Sequence, residues 1–274
     1  MSKHSELTER QGREVEYHRE HAKLVRDKYK KLSHDVLYSN RRRWWNAYWD
    51  MFTYLREQNL KGRTALVVGC GGGEDAVRLA LLGATVHAFD LSPEMLAIAA
   101  ELASSEGVTV QWKEMPAERL DYPDDFFDMV FARDIFHHVD IRPSVHELRR
   151  VSKPNATFVI DEIYSHSAAE LIRRSQFVEK HIYPLVRSRI YAGKPYITED
   201  ERKLTETDVQ IITENLRIVA RKYFNFIVTR LISDRHSFAS MVDRLFLCVL
   251  GPLGKYLAGR VVIIGTLQKQ EASV

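Results

Sequence analysis

An apolar run, Ala65-Leu66-Val67-Val68, ends in the glycine cluster Gly69-Cys70-Gly71-Gly72-Gly73, and a second run, Ala84-Thr85-Val86-His87-Ala88-Phe89, ends in the carboxylate Asp90. Glycines at a strand-to-helix turn let the backbone approach a ligand closely, and the helix that follows offers free N–H groups. A carboxylate at the end of the next strand can accept hydrogen bonds from ribose hydroxyls. This is the layout of a nucleotide site, although the spacing is G-x-G-x-G and not G-x-G-x-x-G. Further along stand His137 and His138, directly after the run Phe127-Asp128-Met129-Val130-Phe131-Ala132-Arg133. Histidine titrates near neutrality and suits proton transfer. Glu162, after a later apolar run, and Tyr17 and His18 near the N-terminus are further candidates.

The elements that must hold these residues alternate in type. Strands are expected near 64–69, 85–90, 108–112, 127–132 and 156–162, with helices between them, and 218–227 and 261–267 read as a final strand pair. That pattern predicts an α/β fold, a doubly wound, mostly parallel, seven-stranded sheet covered on both faces. Ligands of such sheets sit at the carboxyl ends of the strands. Thr205-Glu206-Thr207-Asp208 has the form of a helix start.

Several segments in order resemble one family. Asp90-Leu91-Ser92-Pro93-Glu94-Met95-Leu96 is similar to the "D-x-S-x-x-M-L" segment of class I S-adenosylmethionine-dependent methyltransferases, in particular the small-molecule, type 11 kind. Phe126 to Arg133 resembles their fourth strand, Phe136-His137-His138-Val139 their "L-H-H-V", and Glu147-Leu148-Arg149-Arg150-Val151-Ser152-Lys153-Pro154 their "E-x-x-R-V-L-K-P" turn. The resemblance implies a Rossmann-like core with S-adenosyl-L-methionine bound by Gly69, Cys70, Gly71, Gly73, Asp90, Leu91, Ala117, Glu118 and Arg133. At the methyl-transfer site His138 or His137, directly after the fourth strand, is the candidate base; the alternative is that they are structural, one of them packing inside. Two positions depart from the pattern. Val67 stands where the family carries an acid near the methionine end, and Pro116 where it carries one near the adenine. Asn155-Ala156 replaces the usual glycine pair, and asparagine tolerates the left-handed turn.

The segment 1–60 is expected to form an N-terminal helical lid, and 61–274 the core, with insertions at about 165–205 and 234–258. A charged helix is read from Thr8 to about Lys31. Arg41 to Phe52 then places Trp44, Trp45 and Trp49 within six positions. Such a segment either seals the sheet or closes the pocket. The first insertion has an amphipathic stretch from Ser165 to about Arg189, with Leu171, Phe177, Ile182 and Leu185 apolar, and a loop around Gly193-Lys194-Pro195. The second, Ser237 to Ala258, has Phe238, Met241, Val242, Leu245, Phe246 and Val249 at helical spacing. Both read as extra core, as walls of a greasy substrate pocket, or as a rest for a membrane surface.

The chain has 274 residues, 45% hydrophobic and 28% charged, with net charge +3. That is a globular composition, and the charge does not by itself imply nucleic acid. After the fourth strand the text reads Arg133-Asp134-Ile135-Phe136, unlike the Asn/Asp-Pro-Pro-Tyr/Phe of enzymes acting on nucleic-acid bases. Two distant cysteines, Cys70 and Cys248, form no disulfide framework or metal motif, and no apolar leader opens the sequence. The expectation is a cytoplasmic enzyme acting on a small, apolar or amphipathic molecule, without metal and with lipid-like substrate or peripheral membrane contact as an option. A non-catalytic S-adenosylmethionine-binding protein and a nicotinamide-dependent oxidoreductase remain the alternatives.

Overall fold

The computed structural model describes residues 7–27, 29, 31–173, 175–176, 180–181, 202–226 and 237–269. Its centre is a seven-stranded sheet in the order β3-β2-β1-β4-β5-β7-β6. The strands are β1 (Thr64–Val68), β2 (Thr85–Asp90), β3 (Val110–Glu114), β4 (Phe127–Arg133), β5 (Ser152–Ile163), β6 (Leu216–Phe224) and β7 (Arg260–Leu267). Strands β1 to β5 pair in parallel. β7 runs antiparallel to both β5 and β6. All seven expected strands are present. Asn155 takes φ 62°, the left-handed conformation that the variant turn needed.

Alternation along each strand sends its side chains to two cores. On one face Leu66, Val68, Val130 and Phe158 pack with α6 (Ile141–Val151) and α8 (Glu206–Thr213). On the other, Val67, Val86, Phe131 and Val159 pack with α3 (Ala47–Glu57) and α4 (Glu74–Leu81), while α5 (Pro93–Ser105) adds Leu102. α8 begins on a reciprocal capping box between Thr205 and Asp208.

The N-terminal segment divides into two parts with different jobs. α1 (Glu9–Val25), capped by Thr8, lies against α5 at the carboxyl ends of the strands. The short α2 (Asp35–Tyr38) follows. The aromatic segment does not form one helix from Arg41. Asn46 caps α3 by accepting from the Trp49 N–H, so Trp44 and Trp45 fall in the preceding turn. In α3, Met51, Phe52 and Leu55 are fully buried, and the Phe52 ring lies 6.0 Å from that of Phe131 on β4. α3 is therefore part of the sheet's covering layer. Phe52→Ala is expected to cost about 3–5 kcal/mol of stability, read from the denaturation midpoint at unchanged slope.

Of the first expected insertion, α7 (Ser167–Arg173) is described. The expectations for Phe177, Ile182, Leu185 and the Gly193-Lys194-Pro195 loop fall outside the described residues. The second expected insertion contains α9 (Ser237–Leu250) and a 3-10 helix (Gly251–Tyr256). Among the described residues no helix is long and apolar enough to cross a membrane.

Candidate active site

β1 ends in a turn in which Gly69, Gly71 and Gly73 all have positive φ, at 58°, 48° and 81°. The Cys70 N–H donates to the Phe89 carbonyl at 2.9 Å, which ties the turn to β2. Asp90, at the end of β2, is aimed by the backbone. Its Oδ2 accepts from the Gly71 N–H at 2.8 Å and its Oδ1 from the Ser92 N–H at 3.0 Å. A carboxylate offers about four acceptor positions, so each oxygen keeps one for a ligand. Gly69, Gly71, Asp90, Leu91 and Ala117 line one cavity together with the apolar Met95, Met115 and Val139.

A second cavity adjoins it at the glycine turn, lined by Val67, Gly69, Cys70, Asp75 and Arg133. Val67 leaves this end without an acid from β1. Asp75, in the first turn of α4, provides one. Arg133 Nε donates to Asp75 Oδ2 at 2.7 Å, and the Tyr48 hydroxyl of α3 donates to Oδ1 at 2.7 Å. Burial raises the Asp75 pKa, but the Arg133 and Arg78 guanidinium groups and the Tyr48 hydrogen bond overcome it and hold the carboxyl below its usual range. Burial and the nearby Asp90 charge push the Cys70 thiol up, so it stays protonated.

Not every expected residue reaches these cavities. Gly73 caps α4, and a Cβ there would lie 2.5 Å from Ala99 Cβ on α5. It is a packing glycine that lets α4 and α5 approach. Gly73→Ala combines a left-handed alanine with this overlap, and a loss of about 2–4 kcal/mol in unfolding free energy is expected. Glu118 also turns away. Its Oε1 accepts from the Asp140 N–H at 2.9 Å and its Oε2 from Gln11 Nε2 at 3.0 Å, so it staples α1 to the start of α6.

The two histidines separate sharply. His137 is buried, and its Nδ1 lies 2.9 Å from Glu162 Oε2. The other oxygen of Glu162 accepts from the Ile135 and Phe136 N–H groups. Glu162 thus holds the loop after β4, and His137 is its third partner, outside the cavity that Asp90 lines. His138 does line that cavity. Its Nδ1 is 3.3 Å from Glu14 Oε1 on α1, and His18 Nε2 lies 3.7 Å from the same carboxylate. His18, His21 and Tyr29 complete the wall that the N-terminal segment contributes. Tyr17 instead pairs with His21, its hydroxyl 3.2 Å from the ring nitrogen.

Glu14, Asp75 and Tyr29 did not emerge as site residues from the sequence. The signal for Glu14 was its i, i+4 spacing to His18 on a helix with few apolar residues. Glu14 also sets a pH dependence. Burial raises its pKa, but the hydrogen bond and charge of His138, with His18 and Arg10, bring it below the usual value. A folded pKa below the unfolded one gives stability that is complete above the unfolded value, about 4.3, and lost as pH falls through the folded value. The α1 amides are expected to lose hydrogen-exchange protection in that acid window. Glu14→Gln should reduce their protection at neutral pH by about 1–3 kcal/mol.

Residues 66–160 match the family described as "Methyltransferase domain". A ubiquinone biosynthesis O-methyltransferase of Methylococcus capsulatus is 35% identical over 132 residues, which is 43% of this chain and 56% of that protein. The chain thus spans about half the length of this curated relative. The crystal structure of a SAM-dependent methyltransferase from Aquifex aeolicus is similar with a TM-score of 0.51 at 17% identity, over 88% of this chain and 96% of that one. That of the YcgJ protein from Bacillus subtilis has a TM-score of 0.52 at 19% identity, over 81% and 98%.

Residues 66–160 thus match a methyltransferase domain, and the relatives and the fold support a likeness to the class I S-adenosylmethionine-dependent methyltransferases. The cofactor of these methyltransferases suits the two cavities. The cavity presents the apolar side chains of Leu91, Met95, Met115 and Val139, chemistry suited to a purine ring, and the Asp90 carboxylate on the same lining, chemistry suited to a vicinal diol. Arg133, Asp75 and the glycine turn offer both charges and backbone to an amino-acid end.

Proposed function

We propose that this methyltransferase transfers the methyl group of S-adenosyl-L-methionine to a small apolar or amphipathic molecule in the cytoplasm, with His138 taking a proton from acceptors that carry one. The observation that carries the reading is that His138, Gly69 and Asp90 line one cavity. When bound, S-adenosylmethionine supplies a methyl group on a sulfonium already activated for displacement. Asp90 holds the ribose, and Leu91 and Ala117 border the adenine. Arg133 attracts the carboxylate of the amino-acid end, and Gly69, Cys70 and Gly71 let the backbone approach. Glu14 orients His138 through Nδ1 and sets its tautomer, making Nε2 the basic nitrogen. The α1 helix shuts water out of the site. The relative named for ubiquinone biosynthesis supports a small-molecule acceptor. An acceptor of that kind also brings contact with lipid-like molecules or a membrane surface within reach.

The test is production of S-adenosylhomocysteine from S-adenosylmethionine in the presence of a panel of small phenols, quinols and amines. Turnover that requires one class of acceptor supports the reading. Tight cofactor binding with no turnover across the panel and in cell extract would favour a non-catalytic binding protein.

A further inference from the structure

α9 carries its apolar residues on the wrong side for a helix that merely fills the core. Phe238, Met241, Leu245 and Val249 recur at helical spacing and are 61%, 57%, 61% and 71% exposed, and Leu253 of the following 3-10 helix continues the stripe at 62%. Single exposed apolar residues are common on protein surfaces, but a contiguous row marks an interaction face. The charges on the same stretch are equally one-sided. From Ser237 to Leu257 the charged residues are Asp243, Arg244 and Lys255. Asp243 is turned inward, 1% exposed, so the exposed charge of this stretch is positive. The Arg244 guanidinium lies over the rings of both Trp44 and Trp45, 5.8 and 5.4 Å from their centroids, and Trp44 is itself 42% exposed.

We propose that this face docks the protein on an anionic lipid bilayer. A helix of 14 residues is too short to span a bilayer but suits one lying in the interface, with leucine, phenylalanine and valine towards the acyl chains and cations towards the headgroups. Tryptophan beside arginine is at home at that depth. The charge pattern selects the bilayer over a second copy of this chain. A two-fold contact would set Arg244 and Lys255 against their own kind with no exposed acid on the stretch to answer them. This goes beyond methyl transfer and does not depend on it.

The test is co-sedimentation of the full chain with vesicles of phosphatidylcholine alone and of phosphatidylcholine with phosphatidylglycerol. The protein is expected to pellet with the mixed vesicles, more weakly with the neutral ones, and less as salt rises. Leu245→Glu combined with Val249→Glu should lower binding by at least about tenfold, and Arg244→Glu by roughly fivefold. Both variants replace exposed residues and should keep the wild-type melting temperature. If one does not, the salt dependence and lipid preference of the wild type still decide the matter. Failure to pellet with mixed vesicles would overturn the proposal, as would binding indifferent to salt and phosphatidylglycerol. A lipid-free dimer abolished by the double variant would assign the face to a second copy and overturn it equally.

Discussion

Asp90→Ala is expected to weaken S-adenosylmethionine binding by about a hundredfold or more. Each hydrogen bond to a buried charged group contributes about 1.5–3 kcal/mol, and the proposed pose uses two. The substitution also orphans the Gly71 and Ser92 N–H groups that now donate to the carboxylate, so the glycine turn loses the anchor that shapes it. Asp90→Asn separates the two effects, because it keeps an acceptor for one of them. Calorimetric titration of both variants beside the wild type reads the result. An unchanged dissociation constant in Asp90→Ala would sink the assignment of the ribose to this residue.

His138→Ala is expected to lower the methyl-transfer rate by about 10²- to 10⁴-fold for an acceptor that must lose a proton. Cofactor affinity should stay within about threefold, because the proposed ribose and carboxylate contacts lie elsewhere in the site. Glu14→Gln should produce a smaller loss and move the pH profile, since the amide still accepts or donates one hydrogen bond but carries no charge. His137→Ala should act differently. It removes the partner of Glu162 inside the protein, so thermal stability falls and the surviving folded fraction keeps its pH profile. A full rate in His138→Ala, with pH dependence intact, would remove this histidine from the chemistry.

The parts of this site that were legible in the sequence are those whose partners are local. The apolar runs of β1, β2 and β4 announced parallel strands, and the glycine turn and Asp90 lie at their ends because a strand end is where chain direction changes. Asn155 could be read as a turn residue from its own side chain. What could not be read was decided by distant chain. The resemblance implies Glu118 as a cofactor contact, yet Gln11 and the Asp140 backbone claim its carboxylate from 107 and 22 residues away. His137 and His138 are indistinguishable as neighbours, and it is Glu162 on β5 that draws one inward and Glu14 on α1 that meets the other.

The N-terminal segment makes the same point. Its aromatic residues invited one reading as a single helix that either covers the pocket or seals the core. The division lies at Asn46, whose side chain caps α3. Downstream, Met51, Phe52 and Leu55 belong to the sheet layer, while α1 supplies the pocket wall with polar residues such as Glu14 and His18. A pocket wall made of charge is invisible to hydrophobic periodicity, because its apolar side is narrow and its contacts are ion pairs such as Arg19 with Glu94 at 3.4 Å.

The two cavities that share Gly69 are proposed to hold the two ends of one S-adenosylmethionine molecule, with its sulfur turned towards His138. Electron density from crystals grown with S-adenosylhomocysteine tests this placement most directly. The ribose hydroxyls are expected on Asp90, the purine against Leu91 and Met115, and the amino-acid carboxylate beside Arg133. Density for the ribose away from Asp90, or no density in either cavity at saturating ligand, would contradict it.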